Sequence, residues 1–152
     1  MKVSQKTEYG LRAMVVIAQM AGETRPVPLS TVADAEGIPE QFLDQIVMRL
    51  RKAGFLRSVR GVNGGYLLTK SPEDMTVGAI VRSLEGSLAP MGCITDGSEQ
   101  VEDSVCEKIR GCHTRTVWLR VMDAVNRTLD SISLADVMKD EVLLGQSVAV
   151  RR

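Results

Sequence analysis

The residues best suited to chemistry are three cysteines, Cys93, Cys106 and Cys112, separated by twelve and five residues and the only cysteines in a chain of 152. An odd count is awkward for a disulfide framework. Thiolates gathered in one segment are soft donors that suit zinc, another soft metal or an iron–sulfur cluster, and equally a reversible thiol switch. The only histidine, His113, adjoins Cys112. Neighbours on a helix do not share a face, so it is a poor additional ligand. No phosphate-binding loop and no convincing catalytic triad accompany these residues, and an enzyme is not expected.

A second group is cationic. Net charge is zero, but residues 1–72 carry ten Lys/Arg against six Asp/Glu, whereas residues 73–152 carry nine against thirteen. Between Gln45 and Pro72 lie Arg49, Arg51, Lys52, Arg57, Arg60 and Lys70, with no carboxylate among them. A basic half joined to an acidic half implies that only the first faces a polyanion. No apolar run approaches the ~20 residues of a membrane span, and the opening MKVSQKTEYG lacks the apolar stretch of a secretory signal. A cytoplasmic protein without a membrane partner is expected.

The elements that must position these groups follow from periodicity. Residues 7–21 carry a broad apolar stripe, with Thr7 as a possible N-cap and Gly22 as a stop. Ser30 is expected to cap a short helix over 31–36, broken by Gly37. A third helix over 40–53 places Phe42, Leu43, Ile46, Val47 and Leu50 on one side. Two short helices across a small-residue turn make a helix-turn-helix. The β-prone runs 55–60 and 66–70 flank a Gly/Asn-rich turn, so a hairpin follows as a wing. A helix over 76–84 leads into the irregular cysteine-bearing stretch. Residues 114–129 then form a helix with Val117, Trp118, Val121, Val125 and Leu129 on one side. That stripe runs roughly 24 Å at ~1.5 Å per residue and is expected to pair with its counterpart in a two-fold homodimer. A short helix over 134–138 is possible.

The third helix has a groove-facing side as well as a core side. Gln41, Asp44, Gln45, Arg49 and Lys52 project away from the apolar stripe. Glutamine can pair with adenine in the major groove and a carboxylate can accept from cytosine. Arg51 and Lys52 near the helix end suit phosphates, which position without specifying. Ser30 and Thr31, at the start of the preceding helix, can also hold a phosphate. Arg60 and Gly61 form the wing tip, where an arginine on a nearly side-chain-free loop can enter a narrow minor groove. Singly, each is as readily a solvated surface residue. As a set they favour contact with double-stranded DNA.

The strings GIPEQFLDQIVMR and LRKAGFLRSVRGVNGGYLL, the opening MKVSQKTEYGLRAM and the later VGAIVRSLEG resemble the Rrf-two family of winged-helix transcription regulators over nearly the whole chain. The resemblance implies that Gln41, Phe42, Asp44, Gln45 and Arg60 occupy DNA-contacting positions. It also implies that Cys93, Cys106 and Cys112 hold an iron–sulfur cluster, 2Fe–2S or 4Fe–4S, in a site that CHTRTVW matches closely. Some members draw a carboxylate ligand from the partner subunit's first helix at the place of Glu8, which is otherwise an exposed helix-start carboxylate favoured by the dipole. Several positions depart from the family. Val62 and Asn63 replace the usual Pro-Gly of the wing, and Asp44 stands where Glu is frequent. The first cysteine gap is longer than usual. Arg115 stands where some members have a histidine ligand.

The resulting expectation is a mainly α fold with a small β-wing: a winged helix-turn-helix plus a long C-terminal dimerisation helix. Residues 1–86 form the DNA-binding domain, 87–113 the cysteine-bearing loop, and 114–152 the dimerisation helix and tail. The expected function is a sequence-specific regulator, acting as a repressor, that binds an operator as a homodimer under control of the cluster, with nitric oxide or a redox signal as the effector. The alternatives are a winged-helix regulator with a thiol redox switch or zinc site, and a protein-binding module using the wing and acidic half.

Overall fold

A computed structural model describes residues 3–21, 24–94, 106 and 111–139. Six helices and a two-stranded antiparallel sheet are formed by the described residues. Helix α1 (Gln5–Ala21) buries Ala13, Met14, Val16, Ile17 and Ala21 on one side. It begins earlier than Thr7, because Ser4 is the residue that caps it. The Ser4 Oγ accepts from the Thr7 amide at 3.2 Å, and the Ser4 carbonyl accepts from Glu8. Thr7 is instead buried within the helix, its hydroxyl donating to Glu85.

Helix α2 (Leu29–Glu36) also opens earlier than expected, from Pro28 rather than Ser30. The Pro28 carbonyl accepts from the Val32 amide, which leaves Ser30 exposed in the first turn and without a capping role. Gly37 ends α2 in the left-handed region, and buried Ile38 anchors the turn. Helix α3 (Glu40–Lys52) follows Pro39 and buries Leu43, Ile46, Val47 and Leu50.

Strand β1 (Leu56–Val59) pairs with β2 (Gly65–Leu68), from Leu56 opposite Leu68 to Val59 opposite Gly65. Val27 adds one further rung, exchanging two backbone hydrogen bonds with Tyr66 at 3.0 and 2.8 Å. The hairpin is thereby fastened at its root to the segment before α2. A 3₁₀ turn (Pro72–Asp74) leads to α4 (Val77–Glu85), capped by Thr76.

The long helix α5 (His113–Asp130) extends the expected 114–129 by one residue at each end. Helix α6 (Leu134–Met138) starts with a capping box between Ser133 and Asp136, two orphan helix-start donors being satisfied reciprocally. The chain returns there to the start of α4: the Val77 amide donates to the Ile132 carbonyl at 2.8 Å and the Leu134 amide to the Met75 carbonyl at 2.7 Å. Leu134 belongs to the same core as Met14, Ile17, Leu43, Ile46, Leu50, Ile80 and Leu84. Gly10 is needed there, since a Cβ would run into Leu84 and Ile46 where α1 crosses α4 and α3.

Candidate nucleic-acid interface and cysteine site

The amphipathic pattern of α3 decides which side chains are free. With four apolar residues turned inward, Gln41, Asp44, Gln45, Arg49, Arg51 and Lys52 are all exposed. Arg51 leans toward the hairpin, its Nη1 lying 3.4 Å from the Ser58 hydroxyl of β1. Phe42 differs from the others. Its half-buried ring meets Tyr9 edge-on, with centroids 5.7 Å apart, so it seats the start of α3 on α1. Ser30 and Thr31 are exposed at the start of α2.

Between these polar residues the periodic reading missed Met48. It is 54 % exposed, a helical turn from both Asp44 and Lys52, on the side turned away from the core. Its hydrophobic type hid it; its place outside the Leu43–Ile46–Leu50 stripe was the available signal. A methionine there can meet a thymine methyl, an apolar feature unique to the major-groove edge of A·T pairs.

The wing tip is tightly made. The Gly61 carbonyl accepts from the Gly64 amide at 2.9 Å, closing a turn with Val62 and Asn63 at its apex. Gly61 has φ 115°, a value L side chains rarely adopt, and a side chain at Gly64 would strike the carbonyls of Val59 and Gly61. The glycines therefore set a rigid turn with Arg60 at its edge and Val62 fully exposed. Replacing Pro-Gly by Val62 and Asn63 leaves the turn closed.

A polar link joins this half to α4. Glu85, at the last turn of α4, accepts from the hydroxyls of Ser4 and Thr7 and lies 3.8 Å from Lys6. Those two hydroxyls hold its carboxyl below the ordinary glutamate range, with the charges of Lys6 and Arg49 adding to the effect. One turn earlier Arg82 pairs with Asp130 and reaches Asn126 of α5. Arg12 clasps Glu36 through its side chain at 2.6 Å and its carbonyl at 2.7 Å, and pairs with Glu8 at 3.5 Å. Glu8 is thus an exposed, Arg12-paired carboxylate on α1.

All three cysteines are free thiols of intermediate exposure. Cys112 is the N-cap residue of α5, with its Sγ 3.1 Å from the Thr114 hydroxyl. That hydroxyl, the Arg115 amide and the Arg115 charge push its pKa down. Cys93 precedes the buried Ile94, whose amide closes a turn on Met91. The Cys93 carbonyl accepts from Arg115 Nε at 2.9 Å. His113, the first residue of α5, is exposed.

The donor set fits a soft metal or cluster in kind, since thiolates are its natural ligands. Among the described residues, however, no three of His, Cys, Asp and Glu are gathered to hold a metal ion. Residues 95–105 and 107–110, which connect the cysteines, lie outside the described residues, as does the tail from 140. No helix among the described residues is long and apolar enough to cross a membrane.

A helix pair whose second helix presents polar side chains, followed by a basic hairpin, defines a winged helix-turn-helix regulator that binds DNA. Residues 3–140 match the family Rrf2, described as "Iron-dependent Transcriptional regulator", and the chain belongs to that family. It is 39 % identical over 137 residues to the HTH-type transcriptional regulator CymR of Bacillus subtilis (strain 168), covering 90 % of this chain and 89 % of the other. The solved structure of that regulator, described as the global cysteine regulator of B. subtilis, superposes with a TM-score of 0.71 at 36 % identity, covering 91 % of this chain and 97 % of the other. The solved T. potens IscR gives a TM-score of 0.72 at 39 % identity, covering 95 % and 90 %. These relatives are transcription regulators rather than enzymes.

Proposed function

We propose that the chain is a homodimeric repressor whose grip on an operator is set by an iron–sulfur cluster held by Cys93, Cys106 and Cys112. The observation that carries the DNA half is the outer side of α3, polar and cationic around the single exposed Met48, beside the closed, arginine-edged wing tip. Gln41, Asp44, Gln45 and Met48 would read the major groove, Arg60 and Gly61 the minor groove. Arg49, Arg51, Lys52, Ser30 and Thr31 would hold phosphates, while Phe42 seats the helix. The dimer is supported by α5, which leaves Val117, Trp118 and Val121 at 59, 40 and 42 % exposure, and half-sites on a pseudo-palindrome follow from two-fold symmetry.

The cluster reading is supported by three free thiols in one segment and by membership of a family described as iron-dependent. Glu8 of the second subunit is the candidate fourth ligand; it would have to leave Arg12. A bound cluster would supply an oxidisable, nitric-oxide-sensitive centre. The chain's own contribution is a mechanical route from α5 through Arg82 to α4, and from Glu85 to α1 and α3.

A second reading, a thiol redox switch or zinc site on the same winged helix, is favoured by the lowered pKa of Cys112 and by relatedness to a cysteine regulator. Ultraviolet–visible absorbance, iron and sulfide analysis of protein purified without oxygen separates the two. Visible charge-transfer bands with matched iron and sulfide support the cluster. A colourless, iron-free protein whose DNA binding responds to oxidants supports the switch.

A further inference from the structure

Both ends of the segment that carries Cys106 are tied to a single residue, the Cys93 end through its side chain and the Cys112 end through its backbone amide. Arg115 stands three residues after Cys112, and its Nε donates to the carbonyl of Cys93 at 2.9 Å, across 22 residues of sequence. On the Cys93 side the backbone is fixed by the buried Ile94. On the Cys112 side it is fixed by the start of α5. A guanidinium has five donors, no lone pair and a permanent charge. It cannot ligate a metal, but it can hold a carbonyl while its charge faces thiolates.

We propose that Arg115 is the positioning residue of the cysteine site. It fastens Cys93 to the first turn of α5, beside Cys112, so that both thiols are offered together to a soft metal or a cluster. Bringing the ends together in advance removes loop-closure entropy that Cys106 would otherwise have to overcome when it joins. This inference rests on reading the cysteines as one site, but not on which group occupies it. It also gives Arg115 a role other than that of a fourth ligand.

The test uses a Cys106→Ser background and dibromobimane, a short reagent that becomes fluorescent on bridging two thiols. Arg115→Ala should slow bridging of Cys93 to Cys112 about tenfold relative to single-site alkylation of either thiol, the scale set by losing a hydrogen bond to a charged group. Arg115→Lys should recover part of it. Arg115→Met keeps the aliphatic stem without any donor and provides the same comparison if the alanine variant does not fold. Unchanged bridging in a folded Arg115→Ala or Arg115→Met protein overturns the proposal. In the three-cysteine protein, reconstituted anaerobically with ferrous iron and sulfide, Arg115→Ala should also shift the reduction potential downward, because a nearby positive charge is lost. A parent that takes up no iron and sulfide, while bridging still depends on Arg115, overturns the cluster reading and upholds the positioning role.

Discussion

Helices α3 and α5 are both amphipathic, yet the chain treats them in opposite ways. The apolar side of α3 disappears into the core, with Leu43, Ile46, Val47 and Leu50 all buried. Of α5 only Met122 is buried, and Val117, Trp118 and Val121 remain open to solvent. Helix α3 has its hydrophobic contacts within the chain and its polar side left over, which is what a groove-reading helix requires. Helix α5 has its apolar side left over. An exposed apolar row of that kind marks an interaction surface, and the proposed homodimer would cover it with the same row of a second copy.

The contrast is broken most directly by charging α5. Trp118→Glu with Val121→Glu should weaken the dimer by at least about ten-thousandfold, since two-fold symmetry removes four apolar side chains from the contact and each contributes ~1.5–3 kcal/mol. Sedimentation at micromolar concentration should then show a folded monomer with little operator affinity. A dimer that persists would remove α5 from the interface. The same comparison predicts opposite outcomes for truncations. Leu50→Ala in α3 should cost about 2–5 kcal/mol of folding stability. Val121→Ala should change the unfolding free energy of a monomeric background by less than ~0.5 kcal/mol. Urea titrations read both.

Smaller effects sharpen the DNA half. Arg60→Ala should cost about 1–3 kcal/mol of operator affinity without unfolding the domain. Arg49→Ala should weaken binding across sequences and reduce the salt slope by about one. Electrophoretic or fluorescence titrations at several salt concentrations distinguish them. The mildest effect concerns Glu85. Its folded pKa is depressed by Ser4 and Thr7, so its contribution is complete above the ordinary glutamate pKa and fades as pH falls through the lower folded value. Glu85→Gln should flatten that part of the stability–pH curve. An unaltered curve would mean the link carries no stability.

Both helices were legible in the sequence, each to within a residue at its ends. The alternation of Leu43, Ile46, Val47 and Leu50 with Gln, Asp and Arg announced α3, and the glycines around Val62 and Asn63 announced the wing. These signals are local and span a turn or two. Helix starts were misread where a neighbour intervened. Ser4 reaches forward to cap α1, and the Pro28 carbonyl opens α2 before Ser30 can cap it. Contacts made across long separations left no trace in periodicity. These include Arg115 on the Cys93 carbonyl, Glu85 on Ser4 and Thr7, and Leu134 returning to the core. The cysteines themselves were visible by type and spacing, but residues 95–105 and 107–110 between them lie outside the described ones.

The central claim is that occupancy of the cysteine site controls DNA binding by the α3–wing surface. The most direct test selects a preferred duplex from a random-sequence pool with anaerobically purified protein. Its affinity is then compared for the iron-loaded protein, the same protein stripped of iron by a chelator, and Cys112→Ala. The account predicts that the stripped protein and Cys112→Ala behave alike and differ from the loaded protein by at least about tenfold, the scale of an ordinary coupling between two sites. Equal affinities in all three, with iron and sulfide verified in the first, would contradict it.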